Sequence, residues 1–261
     1  MVNPNYAAGR IATGARVAEI DEGLRAYMNK VYALMAGAMV ITGLVAWVIG
    51  HDFREAIVAS QGGEAAPYLL GPGAIATLYG SPLKWVIMFA PLAFIFAFSA
   101  MLNRMSASAA QMTFWAFGAV MGLSMAWIFA VFTGESIART FFITAIAFGG
   151  LSLWGYTTKK DLSGWGSFLI MGVIGLIVAS IVNIFLASSG LQWAISMLGV
   201  LLFAGLTAYD TQSIKNEYLG MRATPGGEAW LEKGAVMGAL RLYLDFINMF
   251  MFLLQFLGNR E

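Results

Sequence analysis

The sequence predicts an all-α integral membrane protein, a seven-helix transmembrane bundle with its last helix at the centre. Three observations support this class. Apolar residues make up 59% of the 261 residues, charged residues only 11%, and the mean hydropathy is +0.75. Soluble domains carry about 25% charged residues. Seven apolar runs are long enough to cross a bilayer, and the last of them contains a polar stripe.

Each of the seven runs is close to the 17–25 residues that a transmembrane helix requires. They cover residues 31–50, 84–102, 107–132, 137–157, 166–187, 191–213 and 236–258. Two of the links between them are long, at 51–82 and 216–234, and both are predicted to be loops. The first is rich in glycine and proline and could dip back toward the membrane. A re-entrant final segment is the alternative to a seventh crossing.

The rest of the chain is predicted to form no further domain. Residues 1–26 are expected to be a cytoplasmic N-terminal tail, and residues 27–261 one membrane domain. We expect no cleavable signal peptide, because the first apolar core lies far from Met1. With the N-terminus inside, ten of the 15 basic residues fall in cytoplasmic segments and four outside. This bias favours a cytoplasmic N-terminus and places Glu261 outside after seven crossings.

Composition also excludes several classes of site. The chain has no cysteine, so disulfides and thiolate metal sites are excluded. Its single histidine, His51, cannot form a cluster of histidine ligands. The net charge of +1 and the scattered basic residues give no reason to expect nucleic acid. We expect no cofactor; the lipid bilayer is the expected partner, with other membrane proteins as a second class.

The polar stripe lies on the last run, from Leu240 to Gly258. Arg241, Asp245 and Asn248 occupy positions i, i+4 and i+7, so they share one face of a helix. A charge at the centre of a bilayer costs roughly 2.5–3.5 kcal/mol. The stripe must therefore face protein or a water-filled cavity.

Asp210 and Asp245 are the acidic residues that lie within apolar runs, one on each of the last two. These runs are consecutive and antiparallel, so the two carboxyl groups could meet a little below the inner surface. Two carboxyl groups that close in a low dielectric cannot both ionise cheaply, so the pair would bind a proton near neutral pH. In the alternative interpretation, Arg241 neutralises Asp245 within its own helix and Asp210 is solvated at the rim.

Four short segments resemble the Bax inhibitor-1 family, in particular its bacterial members. They are Ala-Tyr-Asp-Thr-Gln at 208–212, Leu-Tyr-Leu-Asp-Phe-Ile-Asn at 242–248, Tyr-Thr-Thr-Lys-Lys-Asp-Leu-Ser at 156–163 and Leu-Gly-Asn-Arg at 257–260. The resemblance implies a bacterial inner-membrane protein whose last helix is wrapped by the other six. It also implies a pH-sensitive calcium leak in which Asp210 and Asp245 act as sensor and gate. We expect Tyr209, Thr211 and Asn248 to support the pair.

The chain departs from the family pattern in two ways. Some members carry an acid in span two and, at its cytoplasmic end, an arginine that latches onto the span-six aspartate. Here span two has no acid, and the nearest base, Arg104, is displaced by a turn or less. Position 241, often small and hydroxylic in the family, is arginine. Arg241 and Arg104 are therefore the two candidate latches.

Three functions remain open from the sequence. The first is a pH-gated cation leak. The second is a non-catalytic regulator that binds partner membrane proteins such as proteases. The third is an intramembrane aspartyl protease, which would use the two carboxyl groups as acid and base. We favour a protein without enzymatic activity, because Leu-Tyr-Leu precedes Asp245 and no flanking glycine lets a substrate strand approach.

Overall fold

The computed structural model of the protein describes the backbone of residues 4–259 and the side chains of residues 21–228 and 230–259. These residues form helices and connecting turns, without strands. Seven of the helices are long and apolar enough to cross a membrane, so the predicted all-α class with seven membrane spans is confirmed. The α-helices are α1 (Pro4–Ser60), α2 (Pro72–Gly80), α3 (Leu83–Met101), α4 (Ala107–Met125), α5 (Ile128–Val131), α6 (Gly134–Thr157), α7 (Gly166–Leu186), α8 (Ser189–Ala223) and α9 (Glu228–Leu257).

Three of the long helices begin at a hydroxyl residue that caps them. Ser106, Thr133 and Ser188 each accept a hydrogen bond from the backbone N–H three residues later, at 3.2 Å in every case. Such caps satisfy one of the free N–H groups of the first helical turn. The starts of α4, α6 and α8 are therefore encoded locally in the sequence.

The predicted loop at 51–82 is largely helical. Helix α1 continues to Ser60, and α2 occupies residues 72–80. Asp52, whose charge ended the predicted span, is fully buried and accepts the backbone N–H groups of Tyr68, Leu69 and Leu70 at 2.6, 3.1 and 2.7 Å. Because three donors satisfy this carboxylate, the helix tolerates it and the 61–71 connection folds back onto α1.

The predicted loop at 216–234 is also shorter than expected. Helix α8 runs to Ala223 and α9 begins at Glu228, so only a tight turn separates them. Gly226 has φ +77° there, a left-handed conformation that favours glycine. An ion pair of 2.9 Å joins Arg222 to Glu228 across the turn. The polar residues of this segment therefore lie mostly on helices.

Helix α9 is the most buried of the seven long helices. In its most apolar stretch 67% of the residues are buried, against 11–39% in the other six. It packs mainly against α1, α4, α6 and α8, whereas α3 packs against α4 and α7 against α8. The fully buried Tyr243 of α9 exchanges a hydrogen bond of 2.7 Å with Thr42 of α1. Of the polar stripe of α9, Asp245 is buried, and Arg241 and Asn248 are half-buried.

Helices α6 and α8 cross closely at Gly155, where a Cβ would lie 2.9 Å from the Cα of Ala208. We expect Gly155→Val to lower the free energy of unfolding by about 1–3 kcal/mol, because the added atoms overlap the α8 backbone. Thermal unfolding in detergent, followed by circular dichroism, measures this. Gly150→Val is the matched control, since nothing lies within 4 Å of a Cβ there. Equal melting temperatures for the two variants would contradict the close crossing.

A buried carboxyl pair beside an arginine

The two aspartates of the last two helices meet inside the bundle. Asp210 of α8 and Asp245 of α9 lie close enough for their carboxyl groups to interact. The side chain of Asp210 is 13% exposed, and Asp245 is 4% exposed. A hydrogen bond between two carboxyl groups requires a proton on one of them. Any hydrogen bond between Asp210 and Asp245 would therefore require that they share a proton.

Arg241 reaches across to α8 rather than along its own helix. Its Nη1 lies 3.9 Å from Asp210 Oδ1, and its Nη2 lies 2.5 Å from Glu217 Oε2. Within the described side chains, both ion pairs of Arg241 are with acids of α8, and Asp245 Oδ2 has no hydrogen-bond partner. The alternative in which Arg241 neutralises Asp245 directly, one turn along α9, is not the arrangement found.

Glu217 is the functional-site residue that the sequence interpretation missed. It was assigned to a loop, but it lies on α8 two turns after Asp210, and therefore on the same face. Its carboxylate also accepts a hydrogen bond of 3.1 Å from Ser213 Oγ, and its side chain is 43% exposed. The i, i+7 spacing to Asp210 was the available signal. Arg241 thus bridges one buried acid and one half-exposed acid.

Arg104, the other candidate latch, is not brought to the pair. It ends the short 3₁₀ turn Leu102–Arg104 after α3, and its side chain is exposed. Among the described residues no ion pair joins it to Asp210 or Asp245. The displacement noted in the sequence is therefore large enough to keep this arginine out of the site.

The three supporting residues occupy different surroundings. Thr211 is fully buried and hydrogen-bonds to Ser152 Oγ of α6 at 2.8 Å, and Ser152 in turn bonds to the Tyr32 hydroxyl of α1 at 2.6 Å. Tyr209 packs over Gly166 at the start of α7. Asn248 donates to the carbonyl of Leu244 in its own helix at 2.8 Å. Among the described contacts of these three residues, Thr211 alone takes part in a series of hydrogen bonds that connects different helices.

The motifs at 156–163 and 208–212 form one structural unit. Gln212 accepts the backbone N–H of Leu162 at 2.7 Å and donates to the carbonyl of Lys160 at 2.8 Å. Lys215 donates to the carbonyl of Tyr156 at 2.9 Å. In the loop itself, hydrogen bonds from the backbone and side chain of Ser163 lower the pKa of Asp161. Hydrogen bonds from Gln212 thus hold the α6–α7 loop against α8 within one turn of Asp210.

A cavity leads from one end of the bundle to Arg241. We call that end of the bundle the basic end. It carries the 158–162 loop and the 224–227 turn. Its basic residues are Lys30, Arg104, Lys159, Lys160, Lys215, Arg222 and Lys233. The cavity has a volume of about 570 Å³, and Glu217, Met221, Met237 and Arg241 are among its lining residues. Water entering from the basic end therefore reaches the arginine and its outer acid.

Beyond Asp245 aromatic side chains meet in the bundle interior. Phe203 stacks on Phe252 with ring centroids 5.8 Å apart, and Phe148 meets Phe246 edge-on at 5.5 Å. Near the opposite end, Gln192 joins Gln255 at 2.7 Å and Asn183 at 3.1 Å, which links α7, α8 and α9. The carboxyl pair thus lies between the cavity at the basic end and an apolar, aromatic-lined region.

Fold and site together define a polytopic helical membrane protein with two neighbouring carboxyl groups beside an arginine that a cavity reaches from one end. The sequence profile described as "Inhibitor of apoptosis-promoting Bax1" matches residues 24–261. The chain therefore belongs to the Bax inhibitor-1 family, as the motifs indicated.

Full-length bacterial relatives agree with this membership. The chain is 42% identical over 251 residues to the uncharacterized protein RP147 of Rickettsia prowazekii, covering 96% of this chain and 97% of the relative. It is 45% identical over 245 residues to an uncharacterized protein of Caulobacter vibrioides, covering 93% and 92%. It is 41% identical over 241 residues to the inner membrane protein YbhL of Escherichia coli K12, covering 92% and 94%. These names describe uncharacterized or membrane proteins and no enzyme.

Proposed function

We propose that the protein is a pH-sensitive cation leak of the bacterial inner membrane, with calcium as the permeant ion. The observation that carries the proposal is the position of Arg241 between Asp210 and Glu217, with the Asp245 carboxyl group directly behind. A positive side chain there closes the inner end of a wet cavity and neutralises the acids that a cation would otherwise meet. Displacement of Arg241 would leave the carboxyl groups of Glu217, Asp210 and Asp245 without this positive charge among them.

Proton binding to the pair controls this arrangement. Asp245 is the more buried of the two and lacks an ion partner in the described part of the chain, so it keeps the shared proton. Asp210 remains ionised beside Arg241. At lower pH Asp210 also takes up a proton, and Arg241 loses its inner partner. At higher pH the pair loses its proton, and two negative charges repel one another.

The two acids of α8 beside Arg241 suit a divalent cation. Carboxylate and carbonyl oxygens are the ligands that calcium prefers, and they bind it with flexible geometry. Asp210 and Glu217 lie two turns apart on one face of α8, so displacement of Arg241 would expose both to the cavity. The inner-membrane relative of Escherichia coli supports the proposed location.

Flux across liposome membranes tests the proposal. Purified protein is reconstituted around a calcium indicator, and calcium entry is recorded over a pH series with empty liposomes as the control. We expect protein-dependent entry whose rate changes with pH. Cleavage of a transmembrane peptide would instead indicate the protease chemistry. If neither flux nor cleavage is observed, the remaining hypothesis is a regulator that acts by binding other membrane proteins.

The proposed orientation places the basic end in the cytoplasm, because seven Lys and Arg residues lie there, against Arg54, Lys84 and Arg139 near the opposite end of the described chain. Gly220 suits a test: it is exposed on α8 near the basic end, nothing lies within 4 Å of a Cβ there, and the chain has no cysteine. We expect Gly220→Cys to react with an impermeant maleimide in inverted membrane vesicles and not in intact cells. Labelling in intact cells would reverse the orientation.

A further inference from the structure

A lateral fissure opens between α1 and α6, separate from the cavity that leads to Arg241. Its volume is about 460 Å³, and its lining includes Arg25, Met28, Tyr32, Phe148, Gly149 and Leu153. Both walls belong to membrane-spanning segments. Gly149 and Leu153 are exposed, whereas Met28 and Phe148 are buried. The fissure therefore leads from the lipid-facing surface into the bundle.

The inner end of the fissure is closed by the hydrogen bond between the Tyr32 hydroxyl and Ser152 Oγ. Ser152 continues to Thr211, the neighbour of Asp210 in α8. Around this polar floor the walls are mainly apolar side chains. A space with apolar walls at this depth of a membrane suits a hydrocarbon chain.

The mouth of the fissure is basic. Arg25 lies in its lining and is exposed, and no described side chain forms an ion pair with it. Lys215 lies over the ring of Tyr156, another lining residue, at 5.4 Å. Asp21 and Glu22 lie on α1 within a turn of Arg25, but neither lines the fissure. A basic side chain where apolar walls meet the membrane surface is complementary to a lipid phosphate.

We propose that this fissure binds an anionic phospholipid, with one acyl chain between α1 and α6 and the phosphate at Arg25. The site does not depend on the cation leak, since none of the residues of the carboxyl pair lines it. A bound chain would rest on the Tyr32–Ser152–Thr211 hydrogen bonds. Lipid at this site would therefore contact a series of hydrogen-bonded residues that ends at Thr211, the neighbour of Asp210.

Native mass spectrometry of the full-length protein tests the site. The protein is taken from nanodiscs with equal amounts of phosphatidylglycerol and phosphatidylethanolamine, and the retained lipid is identified. We expect the wild type to retain phosphatidylglycerol with about fivefold preference, since one basic residue near the surface contributes about that factor. Arg25→Gln should abolish the preference, and Arg25→Lys should keep it.

A second pair of variants tests the acyl-chain site. Gly149→Leu places a side chain in the fissure, and Gly150→Leu places the same side chain outside it; both positions have open space around a Cβ. Both substitutions favour helix equally, so a difference between them is not a folding effect. We expect Gly149→Leu to retain little lipid and Gly150→Leu to match the wild type. Equal retention by these two variants, or unchanged lipid preference in Arg25→Gln, would overturn the proposal.

Discussion

Asp210→Asn should raise calcium leak at neutral pH by about tenfold and make it insensitive to acid. Asparagine keeps the size of the side chain but carries no charge, so it imitates the protonated aspartate. Arg241 then loses the inner of its two ion pairs and keeps the one with Glu217. A tenfold change corresponds to a bias of about 1.4 kcal/mol in the gate, less than the energy of many partly buried ion pairs. Calcium entry into liposomes over a pH series measures the effect.

Asp245→Asn is the matched variant and should behave differently. It preserves a hydrogen-bond donor toward Asp210 and leaves the Asp210–Arg241 ion pair in place. The variant is fixed in the state in which Asp245 holds the proton, so leak should stay low and lose any rise at alkaline pH. The double variant should follow Asp210→Asn, because Arg241 has then lost its inner partner whichever residue stands at position 245. Wild-type pH curves in both single variants would exclude the pair as the sensor.

The sequence predicted the carboxyl pair because both aspartates interrupt long apolar runs. Such interruptions are costly in lipid, so they indicate a protein-lined site without knowledge of the packing. The same reasoning predicted that the polar stripe on α9 is not fully exposed: Asp245 is buried, and Arg241 and Asn248 are half-buried. The seven spans followed from length and hydropathy alone.

The errors arose where polar residues were interpreted as loops. Asp52 and Glu217 both lie on helices, one satisfied by three backbone N–H groups and the other by Arg241. Hydropathy ends a span at such residues because it cannot detect a distant partner. For the same reason the direction of Arg241 was undetermined: an arginine can contact its own helix or the next, and the packing of α8 decides.

Tyr32 and Ser152 gave no sequence signal, since isolated hydroxyl residues are common in transmembrane helices. Their connection to Thr211 depends on three helices meeting at one level of the bundle. The fissure between α1 and α6 likewise results from packing, because a lateral opening has no counterpart in hydropathy. Features of this kind require the tertiary structure.

Arg241→Ala should also raise leak at neutral pH, by tenfold or more. The substitution leaves the ionised Asp210 buried without its cation, and an uncompensated buried charge costs about 3–5 kcal/mol. Opening of the cavity toward water, or uptake of a second proton by the pair, relieves that cost. We therefore expect both a higher leak and a pH response displaced toward higher pH. The measurement is the same calcium entry assay, with protein incorporation matched between samples.

Arg104→Ala is the control for this substitution, because Arg104 is exposed and does not pair with either aspartate among the described residues. It should leave the pH–leak curve unchanged. The leak of Arg241→Lys should lie between that of the wild type and that of Arg241→Ala. The compact ammonium group of lysine replaces a planar guanidinium group that reaches Asp210 and Glu217 together. The Asp210→Asn, Arg241→Ala double variant should leak no more than the stronger single variant. An unchanged curve in Arg241→Ala, or a raised leak in Arg104→Ala alone, would mean that Arg241 does not hold the gate.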